Sequence, residues 1–108
     1  MESSVNISDV KELINQMCQQ ANVLLSDTQI SISQLQNRLM GFRISTSNGV
    51  NNDTRMMGKS IAEIMWKDED GSRTLAMLYN DVHGHLFELD IWKSNFGMPS
   101  NLNGWKNN

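Results

Sequence analysis

Leu86-Phe87-Glu88-Leu89-Asp90-Ile91-Trp92-Lys93 decides how this chain folds. Apolar and polar side chains alternate through it, the two-residue period of a strand with one dry face and one wet face. Phe87, Leu89 and Ile91 are predicted on the dry side, and Glu88, Asp90 and Trp92 on the wet side. Working back from this strand, Asp81-Val82-His83-Gly84 reads as a turn, preceded by an apolar run in which Leu75, Met77 and Tyr79 alternate with Thr74, Ala76 and Leu78. Before that come the turn Asp68-Glu69-Asp70-Gly71-Ser72 and a third segment, with Ala62, Ile64 and Trp66 against Glu63, Met65 and Lys67. Connections this short make the three strands an antiparallel meander.

Turn chemistry sets a predicted register. A two-residue type I′ turn at Asp70-Gly71 places Trp66 opposite Leu75, Ile64 opposite Met77 and Ala62 opposite Tyr79. A three-residue loop with Gly84 left-handed places Tyr79 opposite Phe87, Met77 opposite Leu89 and Leu75 opposite Ile91. In that register Ile64, Met77 and Leu89 share the dry face. A wet face then carries Glu63, Leu78 and Glu88, then Met65, Ala76 and Asp90, then Lys67, Thr74 and Trp92. A slip of one residue would exchange the faces.

Further upstream, Val10, Leu13, Ile14, Met17, Cys18, Ala21, Leu24 and Leu25 recur at helical spacing. Asp9 and Glu12 suggest a capping box, so a helix is predicted over about 10–25. Cys18 lies on the apolar stripe and reads as core, with no base or ligand beside it to activate the thiol. Residues 26–40 read either as a short helix or as an irregular segment, although Ile30 and Ile32 alternate as in a strand. Leu39 to Thr46 reads as a strand with Phe42 and Ile44 on one side, and the Asn-rich stretch from Val50 to Asp53 as loop. Phe96 and Pro99 are expected to pin the chain after Lys93. Met1 to Ile7 and Ser100 to Asn108 read as loose, with Trp105 docked or exposed. The predicted fold is α+β: a single domain over 1–108, an antiparallel meander of about four strands, and the amphipathic N-terminal helix packed on one face.

The bulk numbers narrow the function. A length of 108 residues suffices for one core without staples. The net charge of −3 argues against a nucleic-acid binder and is compatible with a basic partner. One cysteine forms no internal disulfide, and neither a signal-peptide pattern nor an apolar span of membrane length appears, so a cytoplasmic protein without membrane contact is expected. His83-Gly84-His85 with Asp81 resembles part of a metal site, but no fourth ligand stands at a recognisable spacing, and no metal or cofactor is assigned. Glu88 and Asp90, about 6.7 Å apart along one strand face, suit an acid/base pair in distance, yet a flat sheet offers them no pocket. No nucleophile elbow or phosphate loop is present, so no catalytic residue is assigned and no enzyme is expected. The remaining feature is a ring of acids around apolar groups. Glu63, Asp68, Glu69, Asp70, Glu88 and Asp90 are candidate partner-binding residues, with Trp92 as the aromatic anchor; an ordinary solvated sheet face is the plain alternative. Self-association through that face is a further possibility.

The run Ser60-Ile61-Ala62-Glu63-Ile64, then Asp70-Gly71, then the strand Leu86 to Lys93 with Phe96, resembles a family of small bacterial domains ending in L-F-E-L-D-x-W-K-x-x-F. Some members of that family look like immunity proteins of polymorphic-toxin and contact-dependent growth-inhibition systems. The resemblance covers about residues 58 to 99. The chain departs from the pattern at Asn95, where an acid is frequent, and at Gly97-Met98 before Pro99. What the resemblance implies is an immunity protein that binds a cognate toxin, commonly a nuclease with a basic cleft, and blocks its active site or substrate path. It implies no catalytic residues. A small metal-dependent enzyme using His83 and His85, or a structural oligomerising module, are the alternatives.

Overall fold

The computed structural model describes residues 6–24, 30–35, 40–46 and 54–107. Its helix α1, Ile7–Gln20, starts earlier than the Asp9 pattern suggests: Asn6 is the cap, and its side chain accepts from the Ser8 amide at 3.0 Å. The end comes earlier too. Asn22 takes a left-handed backbone (φ 58°), and the Val23 amide reaches back to the Cys18 carbonyl at 2.8 Å while the Asn22 amide reaches Gln19. This is a Schellman closure, with Asn in the place usually held by Gly. Val10, Leu13, Ile14, Met17 and Cys18 are buried, as the stripe predicts, whereas Leu24 lies beyond the closure and is exposed. Burial pushes the Cys18 thiol up to about 11, which suits an inert core residue.

Five strands form one antiparallel sheet: β1 (Ile30–Gln34), β2 (Gly41–Thr46), β3 (Met57–Lys67), β4 (Arg73–Asp81) and β5 (Leu86–Lys93). With one α-helix among the described residues, the class is α+β. The strand order is β1-β2-β5-β4-β3, so only β3 to β5 make the predicted meander. The fifth strand is β1, whose Ile32 faces Ile44 in a hairpin with β2. That hairpin lies beside β5 and makes β5 the centre of the sheet. Phe42 and Ile44 share one side of β2, as predicted, and both are fully buried. The Val50–Asp53 stretch and Leu25 lie outside the described residues.

The register of the meander differs from the prediction by one residue in both hairpins. Ile64 faces Ala76, not Met77, and Trp66 faces Thr74, not Leu75. The first turn is the cause. The Asp68 amide bonds to the Ser72 carbonyl at 2.8 Å and the Gly71 amide to the Asp68 carbonyl at 2.9 Å, with Gly71 at φ 86°. The loop is thus three residues, Glu69-Asp70-Gly71, with a left-handed glycine at its end. The second turn has the predicted form: Gly84 is left-handed at φ 88°, and the Asp81 amide meets His85. A bulge then undoes its register. Asn80 faces Leu86 and Tyr79 faces Glu88, so Phe87 is the extra residue and Leu78, not Met77, meets Leu89.

Both shifts exchange the faces of β4. Thr74, Ala76 and Leu78 are fully buried with Ile64, Trp66, Leu89, Ile91 and the α1 stripe, while Leu75, Met77 and Tyr79 turn to the other side. Ile64, Met77 and Leu89 therefore do not share a face. Phe87, predicted in the core, stands outside the core cluster with the Arg43 and Arg55 guanidiniums 4.2 and 5.0 Å from its ring.

The tail after Ser100, read from sequence as loose, docks on β3. Leu102 and Gly104 are buried, Trp105 packs against the core, and a short 3-10 turn spans Gly104–Asn107. Gly104 lies so close to the Trp66 indole that an added Cβ would stand 2.4 Å from Cδ1 and 2.9 Å from Nε1. Gly104→Ala is therefore expected to lose about 1–3 kcal/mol through overpacking. Urea unfolding measures it, and an unchanged midpoint would mean that the tail contact contributes nothing.

Candidate functional site

On the face of the sheet away from the core cluster, the corrected register builds new rows. Met65, Leu75 and Trp92 form one; Glu63, Met77, Asp90 and Gly41 the next; Tyr79, Glu88 and Arg43 the third; Lys67 and Arg73 flank the first at the hairpin end. This outer face is more apolar than the sequence suggests. Met65 is 51% exposed and Trp92 46%, and Phe96, in the turn after β5, is 84% exposed. Phe96 also holds a left-handed backbone at φ 62°, which is rare for a bulky residue. Its amide bonds to the Lys93 carbonyl at 2.9 Å, and the following Gly97 amide is held by the Asn95 side chain at 3.0 Å. Asn95 in turn donates to Asp70 at 3.1 Å. The turn thus keeps a large aromatic ring in solvent beside Trp92, at a cost in backbone energy. Two hollows flank Trp92, and Phe96 lines both. One is lined further by Met40, Asp90, Ile91 and Gly97, the other by Met65, Arg73, Leu75 and Ser94.

The acids named from sequence separate into different environments. Glu63 is exposed at the edge of the apolar row, and Glu69 is exposed at the hairpin tip. Glu88 is 1% exposed and accepts from Arg43 Nη2 at 3.1 Å. Asp90 is buried as well, at the rim of the first hollow. Asp68 and Asp70 both hold the Lys93 ammonium at 2.7 Å, and the Ser100 amide and hydroxyl bond to Asp68 at 2.8 Å each. Trp92 and Asp90 are thus brought together with Phe96, while buried Asp68 and half-exposed Asp70 share the buried Lys93 ammonium. Leu75, Met77 and Tyr79 belong to the outer face, although the alternation assigned them to the core. Phe96 belongs there too; its sequence signals are its place in the W-K-x-x-F ending and an aromatic residue in a Ser-Asn-Phe-Gly turn.

Burial alone would raise the Asp68 carboxyl, but Lys93 and then Ser100 outweigh it and hold the group at about 2. Lys93 likewise lowers Asp70, and the two carboxylates raise Lys93. An unfolded Asp titrates near pH 4, so the folded chain binds fewer protons below that value. The stabilisation from Asp68 is complete above about pH 4 and fades as the pH falls towards 2. Thermal unfolding followed at several pH values should show this loss, and Asp68→Asn should flatten it. An equal acid sensitivity in the variant would assign the effect elsewhere.

Asp81, the third member of the suggested metal triad, is already committed. Its Oδ1 accepts from the His83 and His85 amides at 2.9 and 3.0 Å, and its Oδ2 from Arg55 Nε at 3.0 Å. Its carboxyl is lowered, because the bonds from His85, Arg55 and His83 exceed the opposing effect of burial. Among the described residues, no three His, Cys, Asp or Glu side chains converge as metal ligands would. No helix among them is long and apolar enough to cross a membrane.

The chain belongs to the family described as a domain of unknown function, DUF6984, whose model matches residues 6–101. The matched region runs from the cap of α1 through the whole sheet and the Phe96 turn. No curated protein and no solved structure matches the chain.

Proposed function

We propose that this member of the family is a partner-binding protein of the immunity type, which neutralises a toxin by docking on it with the outer face of the sheet. The observation that carries the reading is the pairing of Trp92 and Phe96, two large aromatic rings exposed side by side on the outer face. A sheet face ordinarily places such groups inside; aromatic residues in contact with solvent and rimmed by polar groups are what an interface centre presents. The partner is a protein with basic residues. The chain is acidic overall, with Glu63 exposed on the outer face of β3 and Glu69 exposed at the hairpin tip. Glu88 and Asp90 serve this reading differently from a solvated acidic rim. They are buried, Glu88 beside Arg43, so they shape the face and its potential rather than offering loose charges.

Co-expression with the protein encoded by the adjoining gene tests the proposal. The expected result is a complex of defined stoichiometry by light scattering, and protection of cells from that protein. No complex and no protection would overturn the immunity reading. A chain that instead doubles its own mass, and loses this with Trp92→Ala, would assign the face to self-association.

A further inference from the structure

The hollow on the β3 side of Trp92 has an apolar wall of Met65, Leu75, Trp92 and Phe96, with Arg73 and Ser94 at its hairpin end. Its volume is about 300 Å³, a size for one side chain rather than for a cofactor. Arg73 stands directly opposite Lys67 in the β3–β4 register, so two exposed cations share one row of the outer face. Like charges placed directly across a strand pair weaken the pairing. The carboxylates of the hairpin tip are engaged elsewhere. Asp68 and Asp70 hold Lys93, Asp70 also takes the Ser72 amide and Asn95, and Glu69 accepts from Ser100 at 3.3 Å. Glu63 lies two rows away, opposite Met77. Among the described residues no carboxylate pairs with Lys67 or Arg73, although the chain as a whole is acidic.

We propose that this end of the outer face recognises an extended segment of the protein partner that carries an apolar side chain and, two residues on, an Asp or Glu. This rests on the docking reading above and adds a requirement that net charge does not suggest: a partner basic overall presents one acid here. The Met65–Leu75–Trp92 row and the Lys67–Arg73 row are one two-residue step apart, roughly 6.7 Å, the same spacing as alternate side chains of a strand laid over them. The apolar side chain fills the hollow against the Trp92 and Phe96 rings, leaving water as it does so. The carboxylate then meets both cations, and the planar fork of Arg73 can take it through two hydrogen bonds. Binding thus relieves a repulsion that the free chain carries. A nucleic acid would need a longer basic stripe, which two cations in a chain of net charge −3 do not make.

Nuclear magnetic resonance of the full chain, following the Trp92 indole N–H during titration with acetyl-Leu-Ser-Glu-amide, tests this without a known partner. Acetyl-Leu-Ser-Gln-amide, nearly equal in shape and uncharged, is the control. The expected result is a saturable shift, with affinity about fivefold weaker for the glutamine peptide at low salt and the difference lost at about 0.5 M salt. Lys67→Gln combined with Arg73→Gln, both at exposed positions, should make the two peptides bind alike. The same double variant should raise the thermal midpoint by about 1–4 °C, because it removes the repulsion across the strands. Equal binding of the two peptides by the parent chain, or a lower midpoint in the variant, would overturn the proposal. So would the same indole shift with inorganic phosphate alone, which would make the place a bare anion site. The docking reading fails separately, if Trp92→Ala leaves binding of the partner protein unchanged.

Discussion

Replacing Arg55 with Ala is expected to destabilise the fold by about 3–5 kcal/mol, the usual loss when one member of a buried ion pair is removed. The Arg55 side chain is 2% exposed and Asp81 1%. Its Nε holds Asp81, Nη1 donates to the Ile44 carbonyl at 2.7 Å, Nη2 donates to the Leu86 carbonyl, and its plane lies near the Phe87 ring. One side chain thus ties β2 to β5 and both to the β4–β5 turn, at the bulge that sets the register of the central strand. Without it, Asp81 stays buried without its cation and two carbonyls lose donors. Such a loss is a large part of the 5–15 kcal/mol that holds a typical domain. Urea unfolding measures it. Asp81→Asn combined with Arg55→Met should recover part of the loss by removing both charges; a single-variant loss below about 1 kcal/mol would show that the network contributes little.

Trp92→Ala is expected to act on binding rather than on folding. The residue is half exposed on the outer face, and truncating a central aromatic anchor commonly loses 2 kcal/mol or more, about thirtyfold in affinity. Phe96→Ala, at a still more exposed ring, should weaken the complex while leaving the thermal midpoint within a few degrees. Titration calorimetry with the co-expressed partner gives both affinities. If both variants bind as the parent chain does, the outer face is not the docking surface. If both unfold, the rings are structural and the reading fails in a different way.

The helix stripe, the strand character of β2 to β5 and the antiparallel pairing were legible from the sequence because each follows from local periodicity. The register was not, and the reason lies in β4. Thr74, Ala76 and Leu78 are no more apolar as a set than Leu75, Met77 and Tyr79, so hydropathy favours the larger residues for the core. The fold places the smaller set beneath α1 and Trp66 and leaves the larger set outside. Gly71 stands where the sequence predicts a two-residue turn, but a three-residue loop uses the same Asp-Gly pair. The bulge at Phe87 has no composition signal of its own; it follows from Arg55 and Arg43, which arrive from distant segments. Charge along the sequence misleads for a similar reason. The carboxylates of Asp68, Asp70 and Glu88 look free along the chain, and only tertiary structure brings Lys93 and Arg43 to them. Local pattern fails where the outer face is unusually apolar, which is also where a binding surface would break the ordinary rule.

Hydrogen–deuterium exchange on the complex with the co-expressed partner tests the docking face most directly. Added protection is expected in amides from Asp90 to Met98 and in the Met65 and Leu75 stretches, with the exposed side of α1 unchanged. Protection confined to α1 or to the docked tail, with the Trp92–Phe96 region exchanging as in the free chain, would contradict it.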